Sequence, residues 1–312
     1  MQRVILILLI CFTNATFGQE FKKTATSGFV FLEIPVTART AALGEASIAL
    51  SDVNCDALFN NPAALGFTNQ LHSFSVSYAP YIAEIKHYAT SYAFNSPYGV
   101  FGVGVIIMDY GDMPKTQKVT GQRVYEVIGS FRPQALSVGL SYSKMLTDRF
   151  SFGITTKYVR EKIDIYSVDN FLFDGGILYY TGLGSLRIAA NIQNFGVDAQ
   201  YINDPFKMPA MLRLGAAAEV IGEYNSDFRV TTIAEAIHLS DSDERVSAGV
   251  ECAWKDFLTI RAGYKFFYDE ETYSVGLGLN PKMYLPIAFD LAYSSYGRLG
   301  NVLRLTLQVG LL

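Results

Sequence analysis

Leu303-Arg304-Leu305-Thr306-Leu307-Gln308-Val309-Gly310-Leu311 places an apolar side chain at every odd position and a polar or small one at every even position. A period of two is the signature of a strand with two chemically different faces. The pattern recurs upstream. Val246, Ala248, Val250, Cys252 and Trp254 alternate with Arg245, Ser247, Gly249 and Glu251. Leu136, Val138, Leu140 and Tyr142 alternate with Ser137, Gly139, Ser141 and Ser143. Between 71 and 312 the sequence predicts fourteen such segments: 71–78, 87–94, 99–109, 135–145, 150–160, 171–180, 185–193, 211–221, 227–238, 244–254, 257–267, 271–280, 285–294 and 301–312. Most have the ~9–11 residues that a tilted strand needs to cross a bilayer. A soluble propeller or sandwich also alternates, but with strands nearer five or six residues.

The connections argue the same way. Those after even-numbered segments are short, such as 95–98, 147–148 and 255–256, whereas 110–134, 161–170 and 194–210 are long. Short turns on one side and long loops on the other describe a bacterial outer-membrane barrel with both chain ends in the periplasm. An even number of strands closes antiparallel and leaves no edge unpaired in lipid. The apolar face must then meet lipid. Lys157, Asp174, Arg187, Arg213, Glu219, Arg229, Glu235, Arg245, Glu251, Arg261, Asp290 and Arg304 share the other face. Each would cost roughly 2–4 kcal/mol at the lipid midplane, so they are assigned to the lumen. Aromatics near segment ends, among them Tyr78, Tyr142, Phe152, Trp254 and Phe266, fit interfacial girdles.

Composition bounds the rest. The 312 residues carry a formal charge of −4, with 20 Tyr, 22 Phe and only 17% charged residues, which gives no footing for nucleic acid. Arg3, the apolar run Val4–Phe12 and small residues before Gln19 read as a signal peptide over 1–18. Its removal takes one cation and no acid, so −4 becomes −5. Cys55 and Cys252 remain, too few for a disulfide scaffold; two buried thiols are expected, with a single Cys55–Cys252 bridge as the alternative. His72, His87 and His238 have no metal-ligand spacing, and no nucleophile elbow or phosphate loop is present, so no cofactor, metal or enzymatic activity is expected. The acidic stretches Asp241–Glu244 and Asp269–Glu271 are read as a solvated outer rim rather than a calcium loop. Gly102 and Gly104, inside a strand, are read as sites of close packing.

Residues 19–70 do not alternate and are too apolar for disorder. A hatch folded into the lumen of the 71–312 barrel is the economical reading. Here Phe31, Leu32, Ile34, Ala38, Arg39, Ala41 and Gly44, followed by Asn61-Pro62-Ala63, resemble the PorV/PorQ family of outer-membrane proteins, relatives of FadL-type transporters. "NIQNFG" (191–196) resembles the strand-end motif of that family. The resemblance implies an all-β fold, a 14-stranded antiparallel transmembrane β-barrel with an N-terminal hatch. It also implies a place in type IX protein secretion, with secretion-system proteins or secreted proteins bearing C-terminal signal domains as partners. The alternative is a FadL-like transporter of hydrophobic small molecules. Arg39 is expected to anchor the hatch to a lumen carboxylate such as Glu219 or Asp290, since an enclosed charge must be paired. Asn61-Pro62 is expected to shape the exit from hatch to first strand. Loop 110–134, with Lys115, Lys118 and Arg123, is the expected partner-contact surface.

Overall fold

The computed structural model describes residues 26–119, 124–223, 226–281 and 286–311. The expected signal peptide and Arg123 lie outside these. Fourteen strands close into one antiparallel barrel: β1 His72–Pro80, β2 Lys86–Ser96, β3 Gly99–Asp109, β4 Gln134–Thr147, β5 Phe150–Ile163, β6 Tyr166–Tyr180, β7 Arg187–Gly196, β8 Met211–Ile221, β9 Phe228–Leu239, β10 Arg245–Trp254, β11 Leu258–Phe266, β12 Tyr273–Leu279, β13 Ile287–Ser295 and β14 Asn301–Leu311. Each strand pairs with the next. The seam is β1 on β14, in register from His72↔Leu311 to Tyr78↔Leu305.

The two-residue period divides the wall as its chemistry demands. Leu303, Leu305, Phe289, Ile260, Leu214 and Phe74 face outward, while Arg304, Asp290, Arg261 and Ser73 are buried inside. Outward aromatics meet in pairs at two heights, across strands or along one. Near the short turns, Phe101 meets Tyr142 at 5.2 Å. Near the long connections, Tyr78 meets Tyr88 at 5.1 Å and Tyr264 meets Phe266 at 4.7 Å. Amphipathic rings at both interfaces are the membrane-boundary arrangement of such barrels.

One long connection is not a loop. Residues 161–170 continue the ladder, with Ile163 opposite Tyr166, and turn only at Asp164 and Ile165. Asp164 takes a left-handed backbone (φ 54°) that an aspartate accepts in a tight turn. Charged residues here broke the apolar alternation without breaking the strand, because this hairpin stands clear of lipid and has no apolar face to keep. The connection 110–133 contains its own hairpin, Met113–Lys118 on Tyr125–Phe131. The connection 197–210 contains a two-residue pair, Ala199–Gln200 on Pro205–Phe206.

The lumen holds residues 29–70. A short helix α1 (Ala38–Ala42) starts at Thr37, whose hydroxyl accepts from the Thr40 amide, and lies on β12, β13 and β14. A second, α2 (Ala57–Asn60), is followed by a 3-10 turn, Pro62–Phe67, that lies on β4, β5 and β6. Proline at the first position of that turn loses no hydrogen bond, since its missing N–H would have had no partner in the turn. At its start the segment reaches the end of the barrel that carries the long connections: Ser27 bridges Lys207, and Phe29 packs 6.0 Å from Phe206. The C-terminal strand finishes at the opposite end, beside the start of β1.

Candidate functional site: the hatch and its lumen contacts

Inward-facing charges grip the hatch backbone. Glu235 on β9 accepts from the amides of Ser47 (2.9 Å) and Ile48 (3.2 Å) and is itself held by Arg213 at 2.5 Å. Arg213 also donates to the Glu45 carbonyl (2.9 Å), and Arg187 to the Ala49 carbonyl (2.8 Å). These hatch groups have left water and found no helix or sheet partner, so wall side chains complete their hydrogen bonding.

Arg39 does anchor the hatch, but to other acids than expected. Its Nε and Nη2 donate to the two Glu251 oxygens at 2.9 Å each, a planar fork on a carboxylate. Nη2 and Nη1 also reach Asp52 Oδ1 and its carbonyl, both at 2.9 Å. The carboxylates named from sequence are engaged elsewhere: Glu219 by Arg187 at 2.8 Å, and Asp290 by Arg261. Lumen register decided the choice, and alternation within a strand does not encode it. Burial works against the Arg39 charge, but the pull of Asp52 and then Glu251 outweighs it and raises its pKa.

Asn61 and the 191–196 strand end converge on one region of contact. Asn61 Oδ1 accepts from the Ala63 amide (3.1 Å), while Nδ2 donates to the carbonyls of Ile48 (2.9 Å) and Ile177 (3.2 Å). Asn191 on β7 donates to the Asn60 carbonyl, and Gln193 donates to the carbonyls of Phe59 (3.0 Å) and Asn60 (2.9 Å). A β-bulge, with Asn194 left-handed at φ 57°, turns both Gln193 and Asn194 inward. Asn194 then meets Lys157 at 2.8 Å and, through its amide, Asp174 at 2.8 Å. Asn-Pro-Ala and the 191–196 strand end are thus two halves of one hatch-to-wall clasp. Phe31, Leu32 and Ile34 belong to an apolar cluster with Phe29, Val36, Ile106 and Met108, and Ala38 sits with Ala41, Ala42 and Ala292. Gly44 (φ 65°) donates to Ser274 Oγ at 3.1 Å. Gly102 and Gly104 face Leu58 and Phe59, which a Cβ would meet at 2.9 and 3.0 Å.

Two spaces adjoin the hatch among the described residues. On the short-turn side of the hatch a vestibule of about 590 Å³ is lined by Arg39, Asp52, Arg229, Glu251 and Arg261. On the other side, between Leu32–Val36, Leu58, Phe59 and the wall, only about 50 Å³ is enclosed. A cavity of roughly 150 Å³ is needed to hold benzene, so the closed side has no room for an aromatic guest. Cys55 and Cys252 are both free thiols, the first buried. The rim acids are tied to cations, Glu270 to Arg298 and Glu271 to Lys265.

Glu33, at the top of the hatch, is 3.7 Å from Arg245. Burial pushes its pKa up to about 7, helped by Asp241 and then by Glu45 and Glu271, against the pull of Arg245. Its carboxyl therefore binds a proton in the folded state at pH values where the unfolded chain has lost it. The stabilisation is complete below about pH 4.5 and disappears as pH rises through about 7. Glu33→Gln is expected to flatten that decline, and melting temperature from pH 4 to pH 8 in detergent checks it; parallel curves for both chains would refute the assignment.

Residues 17–240 match the model of a family described as "Type IX secretion system protein PorV". The chain belongs to the PorV family. No curated protein matches it. Among solved structures, the Ralstonia pickettii toluene transporter TbuX is similar at TM-score 0.62 and 14% identity, over 88% of this chain and 98% of that one. The Pseudomonas putida toluene transporter TodX is similar at 0.58 and 13%, over 87% and 96%, and a Pseudomonas aeruginosa FadL homologue at 0.57 and 14%, over 89% and 99%. At this identity the likeness is one of fold. This PorV-family barrel is accordingly an outer-membrane protein of the FadL-like architecture.

Proposed function

We propose that this PorV-family barrel acts in type IX secretion as a closed interaction protein, meeting secreted proteins or surface-attachment partners through its outer hairpins. The observation that carries the reading is the small space above the hatch: about 50 Å³ between hatch and wall gives a hydrophobic guest no pocket there. A FadL-like transporter needs an apolar pocket that encloses most of its guest. The long connections face outward in this reading, the C-terminal strand ends on the periplasmic side, and no chemistry is catalysed.

Support for the hairpins comes from their surface. Tyr125, Val127 and Ile128 are more than half exposed on the 113–131 hairpin, as is Val124 beside it, and Ile165 is 74% exposed at the neighbouring turn. Lys115 ties the two hairpins together through Asp164 at 2.5 Å, which makes it a positioning residue, while Lys118 is free to meet a partner. Exposed aromatic and aliphatic side chains beside a polar rim are what partner contacts are built from. The sequence singled out the basic residues and passed over this apolar run, whose signal was "VYEVIGSF" lying in a connection rather than a wall strand.

The test is to purify the tagged chain from its native membrane in mild detergent and identify what accompanies it. Secretion-system components or secreted proteins are expected, and Tyr125→Ala with Val127→Asp should cut their recovery on the order of tenfold while the barrel stays folded. A lone barrel carrying a hydrophobic compound would overturn the reading in favour of transport.

A further inference from the structure

The lumen cations are almost all neutralised in place. Lys157, Arg187, Arg213, Arg229, Arg261 and Lys265 each face a carboxylate. Arg304 on β14 does not. It is fully buried, and none of its three guanidinium nitrogens has a hydrogen-bond partner among the described residues. A few residues away on the same wall, His87 on β2 is also fully buried, with both ring nitrogens unpartnered.

These two side chains belong to one place. Ala79 on β1 is opposite His87, and the β1–β14 register that pairs Tyr78 with Leu305 sets Arg304 against the other flank of Ala79. All three are buried on the inner face, on three neighbouring strands at one level of the barrel. Tyr81 and Tyr296 pack in the same cluster as Ala79. Those two rings, edge to face at 5.5 Å, close the site on the long-connection side together with Ala79 and Val302. On the other side the hatch is pinned just below: Ala38 N donates to Thr306 Oγ1 at 2.8 Å, and Ser77 Oγ to the Val36 carbonyl at 2.8 Å.

The neighbouring acids are committed. Asp290 and Glu251 are held by Arg261, and Glu45 and Glu271 by Lys265. A charged guanidinium in such an enclosure is costly without a counter-charge, since an unpaired buried ion loses its hydration and regains nothing. Arginine cannot shed its proton to escape this. Among the described residues no side chain meets that requirement.

We propose that Arg304 and His87 form a binding site for a small monovalent anion of the size of chloride, locked between hatch and wall beneath Tyr81 and Tyr296. Full enclosure selects against a lipid headgroup or a peptide carboxylate, which would need an opening for the rest of the molecule. The guanidinium supplies the charge and several donors, and His87 supplies one ring N–H in either neutral tautomer. The bound anion would join β14, β1 and β2 across the barrel seam, so its effect is on the stability of the closed, hatch-filled state.

Crystals of the full chain grown in sodium bromide, with data collected at the bromine edge, test the site. An anomalous peak within hydrogen-bonding reach of the Arg304 guanidinium is expected; ordered water there without bromine overturns the proposal. Melting of the wild-type protein in detergent should also rise by about 2–4 °C when gluconate is exchanged for chloride at constant ionic strength. Arg304→Met should abolish that difference. A bromine peak without chloride-dependent melting would mean an adventitious ion only and would equally overturn it. Should Arg304→Met fail to assemble, the two wild-type measurements decide alone.

Discussion

Replacing Gly263 and Gly153 together with valine is expected to drive the hatch from the lumen and leave a conducting barrel. A Cβ at Gly263 would sit 2.1 Å from Gly44 N and 2.2 Å from Leu43 C, and one at Gly153 would sit 2.3 Å from Pro62 C and 2.5 Å from Ala63 N. These obstacles are backbone atoms, which cannot rotate aside as a side chain does. The two glycines stand on β11 and β5 and receive opposite halves of the hatch, so a rigid shift away from one wall meets the other. Outward packing is untouched, because the lipid face of each strand is unchanged. Single-channel recording in planar bilayers should show a conductance on the order of tenfold or more above the silent wild-type barrel, as expected when a plugged lumen fills with water. A variant as silent as the wild type, with hatch amides equally protected from exchange, would refute the account of why the lumen is closed.

The second large effect is expected at Arg39. Its loss leaves Glu251, buried at 2% exposure, with Arg261 alone, and leaves Asp52 with a 3.5 Å contact to Arg229. Removing one partner of a buried ion pair costs about 3–5 kcal/mol. Arg39→Met is therefore expected to lower protection of the hatch amides between 38 and 52 by about 100-fold or more in hydrogen exchange. Arg39→Lys should fall between the two, since it keeps the charge and loses the planar fork. Equal protection in Arg39→Met and wild type would mean that the clasp around Asn61 holds the hatch without the ion pair.

The barrel was legible in the sequence because lipid enforces a strict rule on every wall strand. Alternation from Leu303 to Leu311 has one meaning where an inward Leu or an outward Arg is expensive on both faces. That rule lapses outside the bilayer, which is why 161–170 read as a loop although its ladder runs on to Ile163. It is silent within the lumen as well. Arg39 was recognisable as an enclosed cation needing an acid, but the choice of Glu251 over Glu219 depends on how the paired strands stagger around the barrel, and no local pattern carries that. Asn61, next to Pro62, starts the following turn and accepts the Ala63 amide. Its amide reaching Ile48 and Ile177 could not be foreseen from the dipeptide. The bulge at Asn194 was hidden in a motif recognisable only by resemblance.

The position of the first described residues bears on how the protein is put together. Ser27 lies against Lys207 at the far end of a lumen that the chain then descends to reach β1. No finished barrel could be threaded in that way by a folded segment with helices at 38–42 and 57–60. The segment must be in place before β14 meets β1, and the hatch itself assists the meeting. Ala38 binds Thr306, and Asp56 binds Gln308, both on the last strand. Residues from the beginning of the chain thus receive its final strand, and the inner segment works as a mandrel around which the wall is rolled and fastened.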